Sequence, residues 1–360
     1  RNGGARKAFQ KPIATRHDDR HGISEKEYTN QISVVKNAIK TGTLVSKKRI
    51  LVNKIQKEGD TRTFKVRNDK NKLEVRTAVL VKLARTASFW IDQSEINDID
   101  MNVLNSSVSY WDSAAYPLVT KMFGAAPTPP KDIDGDPRIN LFIGKISDNK
   151  GLFGFFSPMD VISDKPESNG TDMLYLNSWM FKKGEASEHY AKSTLIHEFQ
   201  HLVNFNVKVV QRAINNQQPV FESRWLNEGM STYAEHLGGL GLPVGDMFAV
   251  TYLESYFKNP SAYPLVTDDA GLNYGAAYLF VLYLVEQYGP DAITKLTQSD
   301  KSGLENIELV TKVPFKKTFT DWATALLLSG SGKNPKFDFK SVNLHKTYAG
   351  NHKLDGINLA

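Results

Sequence analysis

The sequence predicts an α+β protein, and three observations carry that expectation. Short runs of β-branched and apolar residues crowd the stretch from about 45 to 92, separated by turn-forming residues. Isolated strand patterns recur further on, at 139–143 and 173–177. From Ser193 onward apolar residues mostly follow helical spacing. The expected architecture is therefore a β-rich N-terminal part, then a region with a mixed sheet and a helical C-terminal half.

Taken in order, residues 1–30 are polar and basic, carry Gly3-Gly4 and offer few apolar anchors, so they read as a flexible arm. Strand patterns follow at Arg49-Ile50-Leu51-Val52, Thr63-Phe64-Lys65-Val66, Leu73-Glu74-Val75-Arg76 running on to Leu80-Val81, and Ser88-Phe89-Trp90-Ile91. Turn signals at Glu58-Gly59-Asp60 and Asn68-Asp69 divide them, which predicts a small antiparallel sheet. From 101 to 123, Val103, Leu104, Val108, Trp111, Ala115, Leu118 and Met122 mark an amphipathic helix that Gly124 stops. Pro127, Pro129 and Pro130 break the pattern, which divides the chain into an arm (1–30), a β-rich region (31–125), a catalytic region (126–330) and a tail (331–360). Within the third part, 139–143 is a strand, 151–158 a Gly/Phe-rich loop and 173–177 another strand. Helices are expected at 193–206, 225–237, 246–257, 274–288 and 316–328.

Composition removes several function classes. The chain has 360 residues, 41% hydrophobic and 11% aromatic, which excludes disorder as the dominant state. No apolar run reaches the roughly 20 residues that span a bilayer. A net charge of +6 falls short of a nucleic-acid footprint. The absence of cysteine excludes disulfides, thiolate zinc sites and cysteine nucleophiles, so a transition-metal site must use histidine and carboxylate. The chain begins at Arg1, which fits a removed signal segment or a trimmed start, and secretion is the expectation.

Chemistry concentrates in His197-Glu198-Phe199-Gln200-His201. Two histidines four apart on a helix share one face and can reach one ion, with the intervening glutamate beside its open position. Leu195, Ile196, Phe199, Leu202, Val203 and Phe205 make this helix apolar almost all round. Burial of two imidazoles and a carboxylate is costly without a partner such as a metal. A catalytic zinc usually takes a third protein ligand. Trp225-Leu226-Asn227-Glu228-Gly229-Met230 offers Glu228 near the start of a second helix. Glu235 and His236 are competitors for that place, or supports for a histidine's far nitrogen. The segment between, 209–223, reads as a surface excursion.

These two motifs resemble the gluzincin branch of zinc metallopeptidases, and within it the hyicolysin family of secreted bacterial neutral metalloproteases. The similarity runs from about Trp90 to the helix near Trp322, through MLYLN at 173–177 and NYGAAYLFVLYLVEQYG at 273–289. The resemblance implies a zinc endopeptidase acting on proteins or peptides, with His197, His201 and Glu228 as ligands and Glu198 as general base and acid; a monomer is expected. Zinc would lower the pKa of water toward ~7 and polarise the scissile carbonyl, while Glu198 takes the proton and passes it to the leaving amine. Tyr274 resembles in position the oxyanion-stabilising tyrosine of zinc aminopeptidases, with Tyr278 and His236 as alternatives. The strand at 173–177 resembles in position the edge strand that pairs with substrate in gluzincins, the alternative being simply another strand of the sheet. Two departures stand out. The second histidine and third ligand are further apart than in thermolysin-like enzymes, and Thr232 stands where those carry a supporting aspartate.

Two rival functions are a zinc aminopeptidase, disfavoured because no GxMEN-like segment occurs, and a silent binding protein, disfavoured by the intact Glu198. Asp132, Asp134 and Asp136 alternate as in a calcium loop. Pro137 stands where an EF-hand needs glycine and no glutamate closes the loop, so a turn is the stronger expectation. Gly238-Gly239-Leu240-Gly241 follows a helix and reads as its stop. His17, His21, His189, His345 and His352 lack motif spacing and are expected at the surface.

Overall fold

The computed structural model describes residues 25–44, 56–68, 70, 72–124, 136–148, 150–162, 165–184, 187–244, 247–267, 273–348 and 352–357. A helix, α1 (Glu25–Lys40), comes first and begins inside the stretch expected to be an arm. It buries Gln31, Ile32, Val35 and Ala38 along one face. The strands β1 (Thr61–Arg67), β2 (Leu73–Leu83) and β3 (Ala87–Asp92) follow where the β-branched runs place them and pair antiparallel. The strand expected at 49–52 lies outside the described residues.

These three strands do not form a sheet of their own. Strand β3 pairs in parallel with β4 (Ile139–Gly144), and β4 with β6 (Met173–Asn177). The edge is closed by a three-residue strand, β5 (Gly154–Phe156), antiparallel to β6. One six-stranded mixed sheet results, in the order β1-β2-β3-β4-β6-β5. Strands β3, β4 and β6 are buried at every position, which is why their sequences read as continuous apolar runs rather than alternating ones. Phe89, Ile91, Leu141, Ile143, Leu174 and Leu176 face the main core, whereas Trp90, Phe142, Met173 and Tyr175 face a smaller one with Phe64 and Leu80.

The helices pack on the first of these faces. The amphipathic stretch expected from 101 to 123 is α2 (Met101–Tyr110) and α3 (Tyr116–Phe123), joined by a π turn at Trp111–Ala115. Helix α4 (Glu188–Phe205), capped by the Ser187 side chain, continues through a second π turn (Asn206–Val210) into α5 (Gln211–Ile214). After a segment without regular structure comes α6 (Arg224–Leu237), then α7 (Met247–Lys258) and α8 (Tyr274–Tyr288). Three helices complete the series: α9 (Asp291–Gln298), α10 (Gly303–Thr311) and α11 (Phe315–Leu328). The first two of these were not expected from the sequence. They are short, and α9 starts directly after the Gly289-Pro290 break, which hides it behind the stop of α8.

Two glycines set the helix positions that matter. A Cβ at Gly229 would lie 2.7 Å from the Ala277 carbonyl oxygen, so α6 meets α8 at backbone distance one residue after Glu228. A Cβ at Gly154 would lie 2.6 Å from the Tyr175 carbonyl oxygen, 2.7 Å from Thr194 Cγ2 and 3.4 Å from Glu198 Cγ. Glycine there lets the edge strand run directly against α4, beside Glu198.

Candidate active site

Helices α4 and α6 pack side by side, and their facing residues make the site. His197, fully buried, and His201 project from α4, and Glu228 from the second turn of α6. One ligating atom from each lies within 4.8 Å of the others, and this is the metal-capable cluster found among the described residues. Glu228 Oε2 is 3.2 Å from His197 Nε2 and 3.3 Å from His201 Nε2. Ser231, one turn after Asn227, places its hydroxyl 3.1 Å from His197 Nε2.

Electrostatics at the cluster favour a cation. Burial alone would discharge His197, but hydrogen bonds with Glu228 and Glu235 and the charges of Glu235 and Glu198 lift its imidazole to about 10. Burial likewise opposes the charge on Glu228, yet His201 and His197 outweigh it and hold the carboxyl far below the usual range. The residues present suit a dication in place of that proton. Glu235 accepts from His197 Nδ1 at 2.7 Å, so Nε2 is the nitrogen that carries the lone pair toward the centre once the ring is neutral. Thr232, by contrast, only returns its hydroxyl to the Glu228 carbonyl. The support that the aspartate of thermolysin-like enzymes would give from one turn on is thus provided two turns on, by a longer side chain on the same face.

Glu198, 1% exposed, lies on the wall of a pocket that also bears His201 and Glu228. Phe156, Phe205, Val209, Val220 and Phe221 form its apolar side. Arg224 lines it too, with Nε 4.0 Å from Glu228 Oε1. Arg224 was missed in the sequence, although its place one turn before Glu228 is readable as an i, i+4 pair. Val220, Phe221 and Glu222 come from the segment expected to be a surface excursion. In fact Val220 donates its N–H to the Lys208 carbonyl and the segment folds back as a wall of the pocket.

The remaining candidates are placed as follows. Tyr274 is buried at the first turn of α8, stacked on Tyr252 with ring centroids 5.3 Å apart. Burial and the charge of Glu228 raise its phenol well above the usual value, while a hydrogen bond with Arg224 opposes the rise. Tyr278 pairs with His236 instead, at 2.7 Å from Nδ1, and burial pushes His236 down to about 4. The strand at 173–177 is internal, not an edge: β5 covers it, so β5 is the edge strand on that side of the sheet. Gly154-Phe155-Phe156 is too short and too glycine-dependent to carry a readable strand pattern.

Calcium is not supported. Asp132 and Asp134 lie outside the described residues, and Asp136 is taken up by Gln56, the Arg138 N–H and the Arg138 guanidinium. This is the work of a turn leading into β4. Of the other histidines, His345 is exposed and His189 half-buried, while the side chains of His17, His21 and His352 lie outside the described residues.

Comparison with known proteins agrees with this geometry. Residues 170–316, which contain both motifs, match the profile of the Peptidase MA superfamily. The chain is also similar to Neutral metalloprotease ShpI of Staphylococcus hyicus, 28% identical over 244 residues, or 64% of this chain and 52% of that protein. The chain thus spans about half the length of this curated relative. Both similarities are to metallopeptidases, and the second is the hyicolysin-like resemblance carried by the two motifs. No helix among the described residues is long and apolar enough to cross a membrane.

Proposed function

We propose that this chain is a zinc-dependent metalloendopeptidase, with His197, His201 and Glu228 as the ligands and Glu198 as general base and acid. The convergence of three ligand atoms of His-His-Glu type within 4.8 Å, with Glu198 on the same pocket, carries the reading. Zinc, when bound, supplies a Lewis acid that lowers the pKa of water and polarises the scissile carbonyl. Everything else falls to the chain's own groups. Glu198 takes the proton from the attacking water and delivers it to the leaving amine. Glu235 holds His197 in the required tautomer. The Arg224–Tyr274 pair provides donors for the oxyanion, a role favoured by their mutual hydrogen bond and by the place of Arg224 on the pocket. Extended substrate would pair with β5, the edge strand beside Glu198.

Protein substrates follow from the superfamily match, and secretion is carried by the hyicolysin resemblance. The test is incubation with casein and with aminoacyl reporters, with and without chelator, beside Glu198→Gln. The expected result is internal cleavage of casein that chelator and the glutamine variant both abolish. Cleavage confined to the reporters would favour an aminopeptidase, and stoichiometric zinc with no cleavage of either would sink the enzyme reading.

A further inference from the structure

Outside the catalytic pocket, one groove shares a wall with it. Helix α1 and the segment 218–221 line this groove with Ile39, Pro219, Val220 and Phe221, and the last two residues also line the pocket beside Glu198. The helix is fixed next to the edge strand. Gln31 accepts from the hydroxyl of Ser157, the residue that follows β5, at 3.0 Å, and α1 packs on the turn Pro158–Val161. Its buried face holds Ile32, Val35 and Ala38, so Lys36 and Lys40, one turn apart, stand exposed on the groove. Lys36 Nζ lies 5.0 Å from the ring centroid of Phe221, the residue common to groove and pocket. No carboxylate belongs to the described groove lining, and neither ammonium forms an ion pair among the described residues. Like charges at this spacing repel, and nothing in that lining offsets them.

A substrate that occupies the catalytic pocket and passes over Phe221 reaches α1 further along its own chain. Extended backbone advances about 3.3 Å per residue, which puts the side chains that meet Lys36 and Lys40 about three to six residues from the scissile bond. The chemistry there favours an acidic side chain. Its methylene stem packs on Ile39 and Phe221, and its carboxylate accepts from the exposed ammonium groups. A basic side chain would meet two like charges instead. We propose that Lys36 and Lys40 are specificity-determining residues that select substrates with aspartate or glutamate at this distance from the cleavage point. The proposal deepens the peptidase reading and rests on it for the identity of the ligand as a peptide. Helix α1 lies outside residues 170–316, so the superfamily match does not assign it a role.

The test is the cleavage pattern of a random peptide library, read by mass spectrometry, for the zinc-loaded chain and for its double variant Lys36→Glu, Lys40→Glu. The unmodified chain should show aspartate and glutamate enriched about two- to fivefold at that distance on one side of the bond, the range an exposed charge pair supports. The double variant should exchange this preference for lysine and arginine, while preferences at the two residues flanking the bond stay as they were. Lys36→Ala with Lys40→Ala should erase the preference without inverting it. The same change of net charge at exposed positions on and after α11, Lys316→Glu with Lys333→Glu, should leave it intact. Identical patterns from the unmodified chain and the reversal variant, or an equal shift from the α11 pair, would overturn the proposal. Binding is read separately, with zinc-loaded Glu198→Gln chain and capped peptides carrying a run of four glutamates or four lysines. The glutamate peptide should bind more tightly, and the order should reverse with Lys36→Glu, Lys40→Glu; equal binding would also overturn the proposal. A library left uncut beside that charge-dependent binding would remove the peptidase reading and leave the groove as a site for acidic peptides.

Discussion

Helix α4 runs between two buried charge clusters that differ in how they are closed. At its C-terminal continuation, Lys208 and Glu222 pair at 2.8 Å with both side chains 1% exposed. The ammonium also donates to the Leu296 and Lys301 carbonyls, and the carboxylate accepts from Gly303 N, Ser223 N and Asn306 Nδ2. That network is saturated by protein groups and bolts the end of α4 to the loop between α9 and α10. Two to three turns earlier, His197 and His201 converge with Glu228 of α6, ligand atoms within 4.8 Å of one another, and the arrangement balances only around a positive charge. Opposite charges that complete one another make a structural joint. A surplus of ligand atoms makes a site.

Predictions can break that contrast at either end. The largest effect belongs to Glu198→Gln, which should lower casein cleavage by about 10²–10⁴-fold while zinc content stays at the unmodified level. A variant that lost zinc along with activity would show Glu198 to be a structural support instead. Next, Lys208→Met leaves Glu222 buried without its counter-charge and should cost about 3–5 kcal/mol in denaturant unfolding. The double variant Lys208→Met, Glu222→Leu should recover part of that loss, and equal losses would contradict the closed-joint account.

Asp160 makes a third test, remote from the metal. It is buried beside Tyr175 and Asn169, with Lys65 nearby, and burial raises its carboxyl to about 6 against the opposition of those hydrogen bonds. The folded chain therefore binds this proton more tightly than the unfolded one, whose value is 3.8. The group's contribution is complete below pH 3.8 and is lost as pH rises through about 6, a change of about 3 kcal/mol. Asp160→Asn should remove that slope from the pH dependence of unfolding, and an unchanged slope would reassign it. The smallest effect is expected for Glu235→Gln, which keeps the shape but not the charge behind His197 and should weaken zinc binding by about 10–100-fold in a competition titration.

Much of this was legible because the two motifs lie on long helices whose spacing alone sets side-chain direction. The periodicity of α4 alone puts His197 and His201 on one face, whereas bringing Glu228 to them takes the packing of α6 on α4, which the resemblance implied and the spacing did not. The support for His197 was harder to assign, since Thr232 broke the expected position and Glu235 became decisive only when two turns of α6 were seen against α4. The run at 173–177 reads equally as an edge or an internal strand, because Gly154-Phe155-Phe156 is too brief to register as the strand that covers it. The segment 209–223 reads as solvated through its Asn and Gln content, although Lys208 and Glu222 beside and within it meet partners more than 80 residues along the chain. Long-range pairing of that kind has no local signature. The same limit applies to the sheet: β3 to β4 pairing crosses a proline-rich break that, by composition, looked like a boundary.

The central claim is tested most directly by counting zinc. Metal analysis of the purified chain after equilibration with zinc and removal of excess should give one ion per chain, falling to background in His197→Ala, His201→Ala and Glu228→Ala and unchanged in Lys208→Met. Zinc retained at full occupancy by the three alanine variants would contradict the account.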